Sequence, residues 1–209
     1  MTTLPTSPPH AAPRSGRKQR TRDKITDAAL LAFRDRGYEL ATAEQIAQTA
    51  GISRSNFYLH FKSKAELVVS MLDSLEPEVV AMYSTLDGLV KSSEPEIRAW
   101  VFDTAKLWDR DSHRFETLER ALAVEPLVSE RWARTLQHAA DAMPQYLCRF
   151  EEGARRTRAR ARLLTLMFQY ERSMYFTVVR ESGLDRREMV EALADQWSEM
   201  LQMGAPRSS

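Results

Sequence analysis

The sequence predicts an all-α protein of about nine helices, with an N-terminal three-helix domain containing a helix-turn-helix and a larger C-terminal helical domain. Three observations predict it. Apolar residues recur at three- and four-residue spacing in segment after segment. No strand-like alternation and no hairpin turn signal occurs. Helix starts and stops punctuate the chain, among them Thr42 with Gln45, Ser63 with Glu66, Asp185 with Glu188, and glycines at 37, 51 and 183.

Residues 1–20 are expected to form a disordered basic tail. Met1 to Gly16 carries four prolines and almost no large apolar residue, so little burial would offset the entropy of ordering it. The tail ends in RSGRKQRTR, and two readings of Arg17, Lys18 and Arg20 stand: a solubilising run, or an arm on DNA phosphates or in the minor groove. From Thr21 to Arg36, the residues Ile25, Ala28, Ala29, Leu31, Ala32 and Phe33 make an apolar face that Gly37 ends. Tyr38 and Leu40 are expected to close that small core.

The stretch from Thr42 to Lys64, TAEQIAQTAGISRSNFYLHFKSK, reads as the helix-turn-helix. Thr42 caps a short helix, with Gln45 at the capping-box position; Ala50-Gly51-Ile52 makes the turn, and Ser53 caps the next helix. Ile46, Ala50, Ile52 and Phe57 fall where such a pair buries apolar side chains, and small Ala47 permits a close crossing. The outer face is polar. Arg54 can donate two bonds to a guanine, Asn56 can pair with adenine, and Ser55 can serve either.

The segment GISRSNFYLHFKSKAEL, preceded by a helix ending in AFRDRGYELAT, resembles the DNA-binding domain of the TetR (tetracycline-repressor-like) family of bacterial regulators. The resemblance covers about residues 21 to 70. It implies contacts to the DNA backbone from Thr42, Tyr58, His60 and Lys64, with Lys62 beside them, and these position more than they specify. Leu59 stands where many relatives show an aromatic residue. The expected domains are 21–64 for DNA binding, 65–204 for ligand binding and dimerisation, and a disordered tail at 205–209.

Within 65–204, Ser63 and Glu66 open a helix carrying Leu67, Val68, Met71, Leu72 and Leu75, which Pro77 is expected to kink or interrupt. The resemblance implies that this helix transmits ligand-induced motion; an ordinary proline-broken helix is the other reading. A start at Ser93 leads into Trp100 and Trp108, Asp111 and Ser112 mark a break, and Glu125-Pro126 closes the next short helix. Leu127 to Phe150 reads as one long helix bent at Pro144. Arg158 to Ser182 carries more than one apolar stripe, as a helix does between its own core and a partner. With the final capped helix, and with YERSMYF resembling the family's dimerisation helices, it implies a homodimer through the last two helices.

A ligand pocket lined by Trp100, Trp108, Trp132, Met167, Phe168, Tyr170, Glu171 and Tyr175 is the functional reading of the larger domain, against one in which each is simply core. Glu171 interrupts an apolar stretch; it serves a structural salt bridge with Arg172 or Arg98, or a cationic ligand. The run from Ala154 to Arg162 reads as a solvated loop and helix start. Cys148 reads as a buried, inert thiol, and a single cysteine excludes an internal disulfide.

Charge supports a polyanion partner at one end only: residues 14–64 hold 11 Lys and Arg against 5 Asp and Glu, while the chain as a whole is +1. No phosphate-cradling glycine loop, nucleophile elbow or histidine spacing for zinc is present, so neither an enzyme nor a metal or other cofactor is expected. No apolar run suffices to span a bilayer, and the N-terminus lacks a secretory signal. The expected function is a cytoplasmic, homodimeric, ligand-responsive regulator, a repressor released from a pseudo-palindromic double-stranded DNA operator by a small, mostly apolar effector. The alternative is an activating or architectural DNA-binding protein without a ligand.

Overall fold

A computed structural model describes residues 14–89, 94–180 and 182–203, with side chains from residue 16 onward. These residues hold ten α-helices, nine of them seven residues or longer, and one π-helical turn; no strand occurs among them. The tails expected to be disordered at 1–13 and 205–209, and the helix start at Ser93, lie outside the described residues. No described helix is long and apolar enough to cross a membrane. The chain divides into two compact units, Met1–Ser63 and Lys64–Ser209.

In the first unit α1 spans Arg14–Arg36, so Arg17, Lys18 and Arg20 are helical and do not belong to a disordered tail. Arg, Lys and Gln are good helix formers, and the added turns gain local bonds: Gln19 donates to Asp23 at 2.8 Å and the Thr21 hydroxyl to the Arg17 carbonyl at 3.1 Å. Ile25, Ala28, Ala29, Ala32 and Phe33 are buried as expected, but Leu31 is 44% exposed. It falls off the stripe that these positions define, and Leu30 takes its place in the core. Similarly, Tyr38 is buried against Phe33, with ring centroids 5.2 Å apart, whereas Leu40 is exposed and Ala41 fills the interior instead.

Two short helices follow, α2 over Ala43–Thr49 and α3 over Arg54–His60. Their inner faces are Ile46, Ala47 and Phe57, all buried; Ala50 and Ile52, expected inside, are half-buried at the turn.

In the second unit α4 spans Lys64–Gly88 and runs through Pro77 without interruption. Pro77 removes the N–H that would bond the Asp73 carbonyl, and its ring crowds that carbonyl. The same stretch is held from α7, Pro126–Asp141, by Arg131, which pairs with Asp73 at 2.8 Å and with Glu76, while Glu76 also takes His138 Nδ1 at 2.7 Å. The His138 hydrogen bond, aided by Arg131, holds the Glu76 carboxyl below its usual range. This contact therefore contributes stability above that range and loses it as pH falls through the lowered value.

The helix expected from Leu127 to Phe150 is broken. α7 ends at Asp141, and α8 is a single turn, Pro144–Leu147. Pro144 cannot continue the ladder and forces the residue before it out of helical geometry; Met143 has φ −113° and ψ 56°. Asp87, at the end of α4 and 2% exposed, caps the broken end by accepting from the Gln145 and Tyr146 amides, both at 2.8 Å. Tyr146 takes the buried position of this turn, and Cys148, expected inside, is exposed.

α5 spans Glu94–Arg110 and α6 spans Ser112–Val124, with the expected break at Asp111. α9 begins at Ala154, ahead of the expected Arg158, so the arginine run forms its first turns; there Arg156 pairs with Glu152 and Arg160 with Asp141. It passes into the π-helical turn Tyr175–Val179. α10 spans Arg186–Gln202, and Asp185 caps it by accepting from the Arg187 and Glu188 amides. Packing of α4 against α7 and of α5 against α10 frames an aromatic core of Tyr83, Trp100, Tyr170 and Trp197, with neighbouring centroids 5.7 to 6.2 Å apart.

Asp87→Ala leaves two buried amides without an acceptor and should destabilise the protein by about 2–3 kcal/mol. Urea denaturation followed by circular dichroism checks this; an unchanged midpoint contradicts the capping role.

Candidate nucleic-acid interface and effector cavity

The reading helix is set by its caps. Thr42 and Gln45 form a reciprocal box, the Gln45 amide donating to Thr42 Oγ1 at 3.2 Å and the Thr42 amide to Gln45 Oε1 at 3.0 Å. Gly51 has φ +67°, a conformation that side chains resist. The Ile52 amide reaches back to the Ala47 carbonyl at 2.9 Å and fixes the turn, and Ser53 Oγ accepts from the Asn56 amide at 3.1 Å.

With Phe57 inward, α3 presents Arg54, Ser55, Tyr58 and Leu59 outward and Asn56 half-buried beside them. The Arg54 guanidinium sits 5.8 Å from the Tyr58 ring centroid, which pre-orients it at the surface. Leu59 is 77% exposed. Thr42 and Lys62 are exposed, while Lys64 is half-buried and begins α4 in the second unit.

α1 is clasped to the end of α3 by Arg22, a residue that sequence reasoning passed over. Its guanidinium lies 4.1 Å from the Phe61 ring centroid and donates to the His60 carbonyl at 2.7 Å. The signal available was its place one turn after Lys18 in a basic helix. Burial, and then the charges of Arg22 and Lys18, lower the His60 pKa, so the imidazole is neutral at physiological pH and offers hydrogen bonding instead of a charge. Lys18 and Arg22 thus share the α1 face near His60; Arg17 and Arg20 are exposed on another.

In the second unit the predicted ligand residues separate into groups. Trp108, Trp132, Met167, Tyr170 and Glu171 line one internal cavity of about 20 Å³, together with Met82, Tyr83 and Phe115 among others. Trp100 lines a groove of about 720 Å³ between α4 and α5, its indole donating to the Met82 carbonyl at 3.1 Å. Phe168 is 47% exposed and Tyr175 half-buried; neither lines the cavity or the groove. Within the cavity wall Trp108 stacks on Phe115 at 3.8 Å, and Tyr170 donates to Thr104 at 2.8 Å.

Glu171 is buried, and the salt bridges expected for it are made elsewhere. Arg98 pairs with Glu94, Glu191 and Asp195, and Arg172 pairs with Glu119 at 2.8 Å. Burial raises the Glu171 carboxyl to about 7; the Trp132 indole and Arg172 oppose the shift, and Glu119 adds to it. Among the described residues no group of three or more His, Cys, Asp and Glu side chains could hold a metal ion.

The profile of the family described as "Bacterial regulatory proteins, tetR family" matches residues 25–71. The transcriptional regulator TtgR of Pseudomonas putida is 44% identical over 78 residues, 37% of this chain and 34% of that protein. The match thus spans about a third of that relative's own length. The transcriptional activator FasR of Mycolicibacterium smegmatis is 26% identical over 171 residues, 81% of this chain and 78% of its own. Two solved structures share the fold: a TetR-family regulator from Streptomyces coelicolor, with TM-score 0.64, 17% identity and coverage of 90% and 82%, and the Thermus thermophilus repressor FadR in complex with lauroyl-CoA, with TM-score 0.59, 20% identity and coverage of 90% and 96%.

Residues 25–71 thus match the DNA-binding domain of the TetR family, and the fold is shared with TetR-family structures. The α2–turn–α3 segment is the DNA-binding helix-turn-helix of that family.

Arg22→Ala should raise the His60 pKa back toward its ordinary value of 6.5 by removing a repelling charge. Because the folded value lies below the unfolded one, the unfolded chain takes the proton first. Stability is then lost as pH falls through the interval between them, and the variant should lose less. An NMR titration of the His60 ring protons in both proteins checks the shift.

Proposed function

We propose that this protein is a cytoplasmic, homodimeric repressor of the TetR family that binds a pseudo-palindromic operator through one α3 per subunit and is released by a small, mostly apolar effector held in the second unit. The observation that carries the DNA half is the polar row Arg54, Ser55, Asn56 and Tyr58 on a capped α3 whose only large buried side chain is Phe57. In this reading Arg54, Ser55 and Asn56 read bases, while Thr42, Tyr58, His60, Lys62, Lys64 and the helical Arg17, Lys18 and Arg20 engage the phosphates. Two reading helices would then enter major grooves about 34–36 Å apart.

The effector half is supported by the cavity and by the neighbour FadR, which was solved with lauroyl-CoA. Dimerisation is supported by apolar side chains left outside on α9 and the turn after it, Phe168 at 47% and Phe176 at 42% exposure. The likeness to FasR favours a second reading of the sign of regulation, as an activator.

The first experiment is binding to DNA from just upstream of the protein's own coding region, at two salt concentrations and against scrambled competitor. Specific binding that weakens steeply with salt is expected; equal binding to both DNAs contradicts the operator reading. Arg54→Ala should lower affinity at one base position by about 1–3 kcal/mol. Lys62→Ala should weaken all sequences alike and shallow the salt slope. Phe168→Glu should shift a sedimenting dimer toward monomer, and a wild-type monomer at micromolar concentration would rule out the assembly. A reporter gene under the operator distinguishes repression from activation.

A further inference from the structure

The core of the second unit holds a buried carboxylate couple, Glu171 and Glu119. Glu171 is 7% exposed and the Glu119 side chain 9%, yet Arg172, the guanidinium beside this carboxylate couple, is taken up by Glu119 Oε2 at 2.8 Å. Glu119 Oε1 is left buried with no hydrogen-bond partner. Two buried carboxylates against one cation are costly unless a proton or a second cation joins them. The other groups around Glu171 supply none: Tyr83 of α4 and Tyr170 of α9 are held uncharged by burial, and Trp108 and Trp132 are neutral.

The same site has an approach. Met82 and Leu107 line both the groove of about 720 Å³ between α4 and α5 and the internal cavity of about 20 Å³ that contains Glu171. They are the partition between the two. Met is unbranched and readily changes rotamer, so a modest side-chain shift joins groove to cavity. The resulting path has aromatic walls at Trp100, Trp108, Phe115 and Trp132; Glu78, Glu96 and Asp103 line its groove, with Lys106 and Arg110 beside them, and Glu171 is the carboxylate that lines the cavity.

We propose that groove and cavity form one binding path, entered past Met82 and Leu107, whose ligand is an aromatic or apolar amine with its cationic nitrogen seated on Glu171. This rests on the effector-sensor reading and names the effector class. The cation takes the place of the proton that Glu171 otherwise holds, so binding releases a proton near neutral pH. Aromatic walls suit such a ligand further, because ring faces attract cations.

The test uses the full-length protein and three matched probes, 2-naphthylmethylamine, 2-naphthylmethanol and 2-naphthoate, followed by calorimetry at pH 6 and pH 8. The amine should bind more tightly than the alcohol, and naphthoate should bind least. Amine affinity should rise about tenfold from pH 6 to pH 8, as a carboxyl titrating at about 7 ionises. Alcohol affinity should stay level. Glu171→Gln, nearly isosteric and checked for folding by its thermal midpoint, should abolish the preference for the amine and its pH response. Proton release by the wild type, read in buffers of different ionisation enthalpy, gives the same answer without a substitution.

An amine bound no better than the alcohol, a pH response that survives Glu171→Gln, or binding of neither probe overturns the proposal. Operator binding measured in parallel separates the two readings. Alcohol that binds and releases DNA, with no advantage to the amine, keeps the sensor and removes the cation site. An amine that binds at Glu171 without changing operator affinity keeps the cation site and removes the sensor.

Discussion

Seven residues make fewer than two helical turns, and both α2 and α3 are that short. Isolated helices of such length are unstable in water, so the reading helix exists only where its termini are capped and its inner face is buried. The Thr42–Gln45 box, the Ser53 cap and the positive φ of Gly51 supply the first condition; Ile46, Ala47 and Phe57 supply the second. The outward row of Arg54, Ser55 and Tyr58 is a consequence of these constraints, because the residues that satisfy the interior leave the opposite face free for DNA.

The basic turns of α1 belong to the same arrangement. Arg22 holds the α3 end through the His60 carbonyl and the Phe61 ring, and its charge helps keep the His60 imidazole neutral. One guanidinium therefore stabilises the reading helix and adds to the burial that lowers the pKa of a side chain beside its DNA face. In the second unit the balance is reversed. There burial and neighbouring Glu119 raise the Glu171 carboxyl, and the polar strain collects beside an aromatic cavity. Structural ion pairs such as Arg131 with Asp73 and Glu76 are satisfied within the fold; the Glu171 couple is not.

Local signals made most helix boundaries legible. Caps at Thr42, Ser53 and Asp185 and stops at Gly37 and Gly51 act within three or four residues, so spacing alone exposes them. Errors arose where distant contacts decide. Pro77 breaks the local ladder, yet α4 continues, with Arg131 and His138 of α7 gripping that stretch. Pro144 ends a helix in earnest, since Asp87, 58 and 59 positions from the amides it accepts, is there to cap the new start. Arg17, Lys18 and Arg20 join α1 despite the four prolines that precede them, because their helix propensity is good and local bonds add to it.

The sequence by itself determined the all-α class, the helix-turn-helix and its exposed polar row, because each follows from short-range periodicity and capping. Only the tertiary structure decided which aromatic residues share a cavity, that Phe168 points outward while Tyr170 points in, and that Arg172 makes its salt bridge to Glu119 and not to Glu171. Neighbouring residues of one helix diverge by about 100° around its axis, and which of them meets a partner depends on helices remote in the chain. Charge pairing in a core is a property of that assembly, and no local pattern encodes it.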